Sequence, residues 1–95
     1  MNTIIELMKL DLGISHNKRD GYFAALVSGA VRELSAMGIH IDTENCEQDD
    51  IMLVVDFSLW RYRKRTDDVP LAENIRRRIR DRKIRGRVES ERENI

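Results

Sequence analysis

The chain has 95 residues, of which 41% are hydrophobic and 36% charged, with a single cysteine. This length predicts one domain with a modest core, and one cysteine excludes an internal disulfide framework and fits a reducing cytoplasm. The formal net charge is zero, yet residues 1–60 carry four basic and ten acidic groups, whereas residues 61–88 carry twelve basic and four acidic groups. Such a separation favours attraction between copies of the chain or to an acidic partner.

The sequence shows no pattern typical of a secretory signal or of a membrane span. The first residues lack a basic region and include Glu6 and Asp11, which is not typical of a secretory signal peptide. No apolar run approaches the roughly 18 residues needed to span a bilayer. We therefore expect no membrane partner.

The first 38 residues predict two helices. Thr3 and Glu6 have capping-box spacing, and Gly13 is placed to end the first helix. Asp20 is the expected N-cap of the second helix, and Gly38 its end. Small residues at 24–30 predict a close approach by another helix. The apolar residues of the second helix recur at helical spacing, at Phe23, Leu26, Val27, Ala30, Val31 and Leu34.

The most hydrophobic stretch, residues 49–65, predicts a third helix. Asp49 or Asp50 would cap its start, and the basic residues at 63–65 suit the negative end of its dipole. The helix is apolar on most of its circumference, so we expect a long central helix covered by the others. The expected core consists of Val54, Val55 and Leu59 of this helix, the apolar residues named for the second helix, and Ile75.

A fourth helix, rich in arginine, is predicted from Pro70 to Ile84. Residues 66–68 would break the third helix, and Pro70 would occupy the first turn of the next. The apolar stripe is narrow, consisting of Leu71, Ile75 and Ile79, so we expect this helix to protrude.

The expected fold is all-α: a small bundle of about four helices with a long central helix and a protruding Arg-rich C-terminal helix. Residues 1–85 would form a single domain. Gly86 would end the fourth helix, and residues 86–95 would form a flexible charged tail.

Catalytic and metal-binding patterns are not evident. The sequence has no Gly-rich phosphate loop and no Cys and His spacing typical of a metal site. His16 and His40 are better explained as surface or turn residues, and Cys46 as a structural or incidental thiol, than as catalytic groups. The acid pairs 49–50 and 67–68 are better explained as caps than as ligands of a divalent metal. We expect no enzyme activity, cofactor or metal.

Asp56 is an acid within the apolar stretch of the third helix. One interpretation places it on an exposed edge or pairs it with an arginine such as Arg63 or Arg32. Another makes it a salt-bridge partner between subunits.

The basic segment from Arg61 to Arg87 is the strongest functional feature. A salt-bridged, solvated face is less favoured because only Glu73 and Asp81 lie within the predicted fourth helix. The candidate partners are nucleic acid phosphates or the acidic half of a neighbouring copy. The fourth helix has no aromatic residue for stacking on single strands, and the acidic connection before residue 49 is too long for a helix-turn-helix reader.

The overall pattern resembles the small head–tail connector (adaptor, head-completion) proteins of tailed bacteriophages and prophages. The resemblance covers about residues 5–85. It is carried by KLDLGI at 9–14 with Asp20 soon after, ELSAMGI at 33–39, DDIMLVVDFSLWRYRKR at 49–65 and PLAENIRRRIRDRK at 70–83. Its most specific part is LVVDFSLWRYRKR followed by Pro70. The arginine density near the C-terminus departs from the family pattern.

The resemblance implies a structural subunit, without catalytic residues, that assembles into a ring beneath the portal. The ring would extend the DNA channel and provide a docking platform for tail-side proteins. The implied partners are other copies of the chain in a cyclic homo-oligomer, the portal protein, tail-side completion or tail proteins, and DNA in the channel, bound non-specifically. The implied location is the virion head–tail junction, and the host bacterial cytoplasm during assembly.

Two functions therefore follow from the sequence: the connector, or a small DNA-binding or regulatory module that uses the Arg-rich helix. Trp60 and Tyr62 are expected to serve either the core or an interface. The residues predicted to contact a neighbouring subunit, the portal or DNA are Arg61, Arg63, Lys64, Arg65, Arg76, Arg77, Arg80, Arg82, Lys83, Arg85, Asp56 and Trp60.

Overall fold

A computed structural model describes the backbone of residues 1–65 and 69–93, and the side chains of residues 1–65 and 69–86. It contains four helices: α1 (Asn2–Leu12), α2 (Asp20–Ala36), α3 (Gln48–Lys64) and α4 (Glu73–Glu93). The described residues contain no strand. The predicted all-α fold with four helices is thus confirmed.

Helix α1 begins earlier than predicted and ends as predicted. The Met1 carbonyl accepts a hydrogen bond from the Ile5 N–H at 3.1 Å, and no side chain caps the helix. The capping box expected from Thr3 and Glu6 is wrong, because Thr3 already lies inside the helix. Gly13 ends the helix in the left-handed region, with φ of 71°, a conformation that glycine adopts without steric cost.

Helix α2 follows its predicted bounds to within one or two residues. Arg19 is the N-cap and Asp20 the first helical residue, so the predicted cap is displaced by one position. Gly38 has φ of 92°, and the following N–H, of Ile39, donates to the Leu34 carbonyl at 2.9 Å. The predicted glycine stop is therefore confirmed.

Helix α3 starts at Gln48 with Glu47 as its N-cap and without a side-chain cap. The prediction that Asp49 or Asp50 caps the helix is wrong, since both lie in its first turn. Carboxylates there still interact favourably with the positive end of the helix dipole. Asp50 is 8% exposed, because its carboxylate faces α4.

The segment before α4 is not helical, which corrects the predicted start at Pro70. The Trp60 indole N–H donates to the Val69 carbonyl at 2.9 Å and holds this segment against the end of α3. The first helical bonds are accepted by the Ala72 carbonyl, so α4 begins at Glu73. Pro70 therefore lies before the helix rather than in its first turn.

Helix α4 continues through Gly86 to Glu93, so the predicted end at Gly86 is wrong. The positive-φ glycines of the described chain are Gly13 and Gly38; Gly86 keeps a negative φ and is tolerated in the helix at a cost of about 1 kcal/mol relative to alanine. The side chains of the predicted flexible tail, residues 86–95, lie largely outside the described residues. The helix break predicted at residues 66–68 also lies outside them.

The core lies where α1, α2 and α3 meet. Among the described residues, α3 contacts all three other helices, whereas α4 contacts only α3. Helix α4 contributes Ile75 and Ile79, each 8% exposed. Leu26 and Val31 are partly buried. The other predicted core residues are buried: Phe23, Val27, Ala30, Leu34, Val54, Val55, Leu59 and Ile75.

Candidate interaction surfaces

Most acidic side chains of the N-terminal half are paired within the chain. Of the ten acids in residues 1–60, seven lie within 4.0 Å of a cationic group, so they are largely neutralised in place. They are Glu6, Asp11, Asp20, Glu33, Glu44, Asp50 and Asp56. The acidic half as a whole is therefore not available to a neighbouring copy.

Arg61, a predicted interface residue, folds back along α2. Its guanidinium donates to the Glu33 carboxylate. A Cβ atom at Gly29 would lie 3.0 Å from the Arg61 Nη2 atom, so the missing side chain leaves room for the arginine. The small residues of α2, from which a close helix was predicted, accommodate this side chain at Gly29.

Asp56 is paired with an arginine that sequence reasoning did not select. Arg78 of α4 donates to its carboxylate at 2.8 Å and to the Met52 carbonyl at 3.3 Å. The predicted partners are wrong because α4 packs across α3 and brings Arg78 over Asp56. Arg63 instead donates to Asp11 at 2.8 Å.

Asp50 forms the most buried ion pair between α3 and α4. The Arg82 Nε atom donates to its Oδ1 atom at 3.0 Å, and Arg85 Nη2 lies 3.8 Å from the same oxygen. The side chains of Asp50 and Arg82 are 11% and 18% exposed. Arg82 and Arg85, both predicted to contact partners, thus hold α4 on α3. The spacing of residues in the sequence does not by itself show that Asp50 lies on a buried face of α3.

The C-terminal end of α3 combines cations with aromatic rings. The Lys64 Nζ atom lies 4.8 Å from the Trp60 ring centre, and the Arg65 guanidinium lies 4.3 Å from Tyr62 and 5.5 Å from Tyr22. Contacts of this kind are worth about 0.5–1 kcal/mol at exposed sites. Trp60 and Tyr62 are partly buried against the core, so each ring serves the fold and also borders the surface.

Arg63, Lys64 and Arg65 form what we call the basic end of α3. All three side chains are exposed. Lys64 and Arg65 have no carboxylate partner within the described part of the chain. The basic end therefore keeps positive charge at the surface.

An acidic end lies at the opposite end of α3. It consists of Asp42, Glu47 and Asp49, which are exposed and have no ion-pair partner among the described residues. Asp42 also accepts a hydrogen bond from the Glu44 N–H at 3.0 Å. Of the acids in residues 1–60, these three have no cationic partner within the described part of the chain, a distinction that the sequence alone does not provide.

The outer face of α4 carries four exposed cations. Arg76, Arg77, Arg80 and Lys83 are exposed, and none has an acidic partner among the described side chains. Since one residue turns the helix by about 100°, Arg77 and Arg80 lie opposite the face of Ile75, Ile79 and Arg82, and Arg76 and Lys83 lie at its flank. Ile84, 53% exposed, lies beside them.

Each histidine makes a local hydrogen bond, and the cysteine is partly buried. His16 and His40 are exposed; the His16 Nδ1 atom accepts a hydrogen bond from the Lys18 N–H, and His40 Nδ1 lies 2.9 Å from the Ser35 hydroxyl. Burial raises the pKa of the Cys46 thiol, and the nearby carboxylates raise it further. Among the described side chains, no group of three or more His, Cys, Asp or Glu residues is placed to hold a metal ion.

Comparisons with known proteins leave the family open: no family, curated protein or solved structure matches this chain. Within the described residues, no helix is both long and apolar enough to cross a membrane. The connector resemblance therefore stays a prediction from the sequence pattern.

Proposed function

We propose that this chain is a structural head–tail connector subunit that assembles into a ring beneath a phage portal. The ring extends the DNA channel and provides a docking platform for tail-side proteins at the virion head–tail junction. Assembly takes place in the host cytoplasm. The proposal rests on the sequence resemblance together with one observation, the opposite charge of the two ends of α3.

The two ends of α3 provide a physical route to a ring. Asp49 and Lys64 are fifteen residues apart, which corresponds to about 22 Å along a helix. A contact between the acidic end of one copy and the basic end of the next is heterologous, and such contacts close into rings when the rotation between subunits allows it.

In this proposal α3 is the long central helix and α4 protrudes from it. The contacts of α3 with every other helix, and of α4 with α3 alone, support this arrangement. The principal extents of 49 × 28 × 18 Å are also those of an elongated subunit. Arg61, Arg82, Arg85 and Asp56 then act within the subunit, since their charges are paired there.

Two charge-reversed variants test the assembly contact. In the first, Glu47→Lys with Asp49→Lys makes both ends of α3 basic; in the second, Lys64→Glu with Arg65→Glu makes both ends acidic. Each variant alone should remain monomeric where the wild-type chain forms rings, as measured by native mass spectrometry. An equimolar mixture should restore rings with alternating subunits, because every contact again joins opposite charges.

Matched controls reverse exposed charges away from both ends, with Lys18→Glu and Arg32→Glu. These variants should assemble like the wild-type chain. Rings formed by either end variant alone, or a mixture that stays monomeric while wild type assembles, would refute the charge-directed contact. A wild-type chain that is monomeric at all concentrations and does not bind portal would refute the connector function.

The alternative is a small DNA-binding or regulatory module that uses the Arg-rich helix. The observation that favours it is the outer face of α4, whose cations have no acidic partner among the described side chains. A module of this kind would bind DNA tightly as a monomer and would neither form rings nor bind portal.

A further inference from the structure

We propose that the outer face of α4 binds the phosphate backbone of duplex DNA without sequence preference. This face consists of Arg76, Arg77, Arg80 and Lys83 and takes no part in the assembly contact proposed for α3. The inference therefore goes beyond ring formation and identifies the ligand of a separate surface. It deepens the proposed function by naming the residues that contact DNA, and it rests on the DNA channel of the connector or on the DNA-binding alternative.

The fold separates the cations of α4 into two groups. Arg78, Arg82 and Arg85 face α3, where two carboxylates pair with them. The four cations of the outer face are exposed and unpaired among the described residues. Even Glu73 and Asp81, each four residues from Arg77 along the helix, form no ion pair with it within 4.0 Å in the described structure.

Repulsion among the cations of the outer face destabilises α4 when no anion is bound. Arg76 and Arg80 are four residues apart, and Arg80 and Lys83 three apart, so their like charges are neighbours on the helix surface. Each such pair costs about 0.2–0.5 kcal/mol. A polyanion removes this repulsion when it binds, and binding should therefore also stabilise α4.

Duplex phosphates suit this face better than the carboxylates of another copy. Arg76 and Lys83 are about 10 Å apart along the helix axis, and the DNA backbone presents a continuous row of charges over such a length. Arginine also donates hydrogen bonds in a planar fork that matches phosphate oxygens. The acidic end of another copy offers only three separate carboxylates.

The residues of this face predict DNA binding without sequence preference and without stacking on bases. Phosphate contacts fix the position of a protein on DNA but carry no sequence information by themselves. The described part of α4 contains no aromatic side chain, so it lacks the stacking surface typical of single-strand binders.

Salt dependence of binding to a short labelled duplex tests the proposal, with fluorescence anisotropy as the readout. Four phosphate contacts predict a slope of about −3.6 for log affinity against log salt, which corresponds to a loss on the order of a hundredfold between about 50 and 200 mM salt. AT-rich and GC-rich duplexes should bind equally.

A variant that replaces all four cations with glutamine should lose this binding and keep its helicity, because these side chains support no described contact. The matched control replaces two exposed and unpaired cations elsewhere, Lys18→Gln and Arg32→Gln, and should bind like wild type. If the fourfold variant does not fold, single replacements serve instead, and each should reduce the slope by about 0.9.

Three results would overturn the proposal: no duplex binding by the wild-type chain at low salt, equal losses in the control and fourfold variants, or a marked sequence preference. Preferential binding to polyglutamate would also overturn it and would assign the face to an acidic protein, for which the exposed Ile84 would be a suitable contact. Ring assembly is scored separately: a fourfold variant that still forms rings without binding DNA separates this face from the assembly contact.

Discussion

Replacement of Asp50 with asparagine isolates the charge that joins α3 to α4. Asparagine has nearly the same shape, so the substitution removes the carboxylate charge without creating a cavity. Asp50 is 8% exposed, and its Oδ1 atom is the shared partner of Arg82 and Arg85. The substitution leaves the Arg82 guanidinium, 18% exposed, without a counter-charge.

The expected loss of unfolding free energy is about 2–3 kcal/mol. Removing one member of a fully buried ion pair costs about 3–5 kcal/mol. The loss expected here is smaller because Arg85 is half-exposed and its charge is screened by solvent. Asparagine also retains an acceptor for the Arg82 Nε–H. For a domain of this size the loss corresponds to a decrease in Tm on the order of 10–20 °C.

Urea denaturation followed by far-ultraviolet circular dichroism measures this loss. The matched control is Asp49→Asn, which changes the adjacent carboxylate in the same helical turn but breaks no described ion pair; it should cost under about 1 kcal/mol through the dipole alone. A double-mutant cycle with Arg82→Gln should give a coupling energy of about 1–3 kcal/mol. Equal losses for Asp50→Asn and Asp49→Asn, or a coupling energy near zero, would refute the view that this pair fastens α4.

Four further substitutions or measurements test other parts of the fold. Ser58 is fully buried and its hydroxyl has no partner among the described residues, so Ser58→Ala should raise the unfolding free energy by about 1 kcal/mol; a clear loss would indicate a hydrogen bond. A Cβ atom at Gly86 would lie 3.3 Å from the Arg82 Nη1 atom, at the flexible end of that side chain, so Gly86→Ala should stabilise α4 by up to about 0.5–1 kcal/mol in urea denaturation; destabilisation would show that Arg82 cannot shift without weakening its pair with Asp50. Lys9, 4% exposed, lies 3.2 Å from the Asp20 Oδ1 atom and donates to the Asn17 Oδ1 atom at 2.7 Å. Lys9→Met should cost about 1–2 kcal/mol, less than for a fully buried pair because the Asp20 side chain is 38% exposed, whereas an unchanged melting temperature would show that these contacts contribute nothing. The raised pKa of Cys46 means that thiolate forms only at higher pH than in the unfolded chain, so alkylation in the native state should be slower near neutral pH; equal rates in native and urea-unfolded protein would refute this.

Helix number and core positions could be predicted because they depend on local pattern. The spacing of Phe23, Val27, Ala30 and Leu34 requires one apolar helix face, and all four are buried. The glycine stops at Gly13 and Gly38 follow from backbone geometry, whereas Gly86, also predicted as a stop, lies within α4. Helix starts were less predictable, since several acids near a start can each cap it, and at both α1 and α3 the helix began before the residue expected.

The interaction surfaces could be predicted only in part. The sequence indicated a basic segment, but arginines along it are similar in chemistry, and their roles depend on the side of the helix that packs. Arg78 pairs with Asp56, but the sequence did not indicate it as the partner of that acid. Arg82 and Arg85 were predicted to contact other molecules, yet both pair with Asp50 within the chain.

The sequence by itself determined an all-α chain with separated charge, because helical periodicity and composition are local properties that need no knowledge of packing. Only the tertiary structure decided which charges remain available. Packing α4 across α3 buried Asp50 and paired three arginines, because desolvated carboxylates require nearby cations. The same packing left Arg80 and its neighbours on the outer face without an acidic partner among the described side chains.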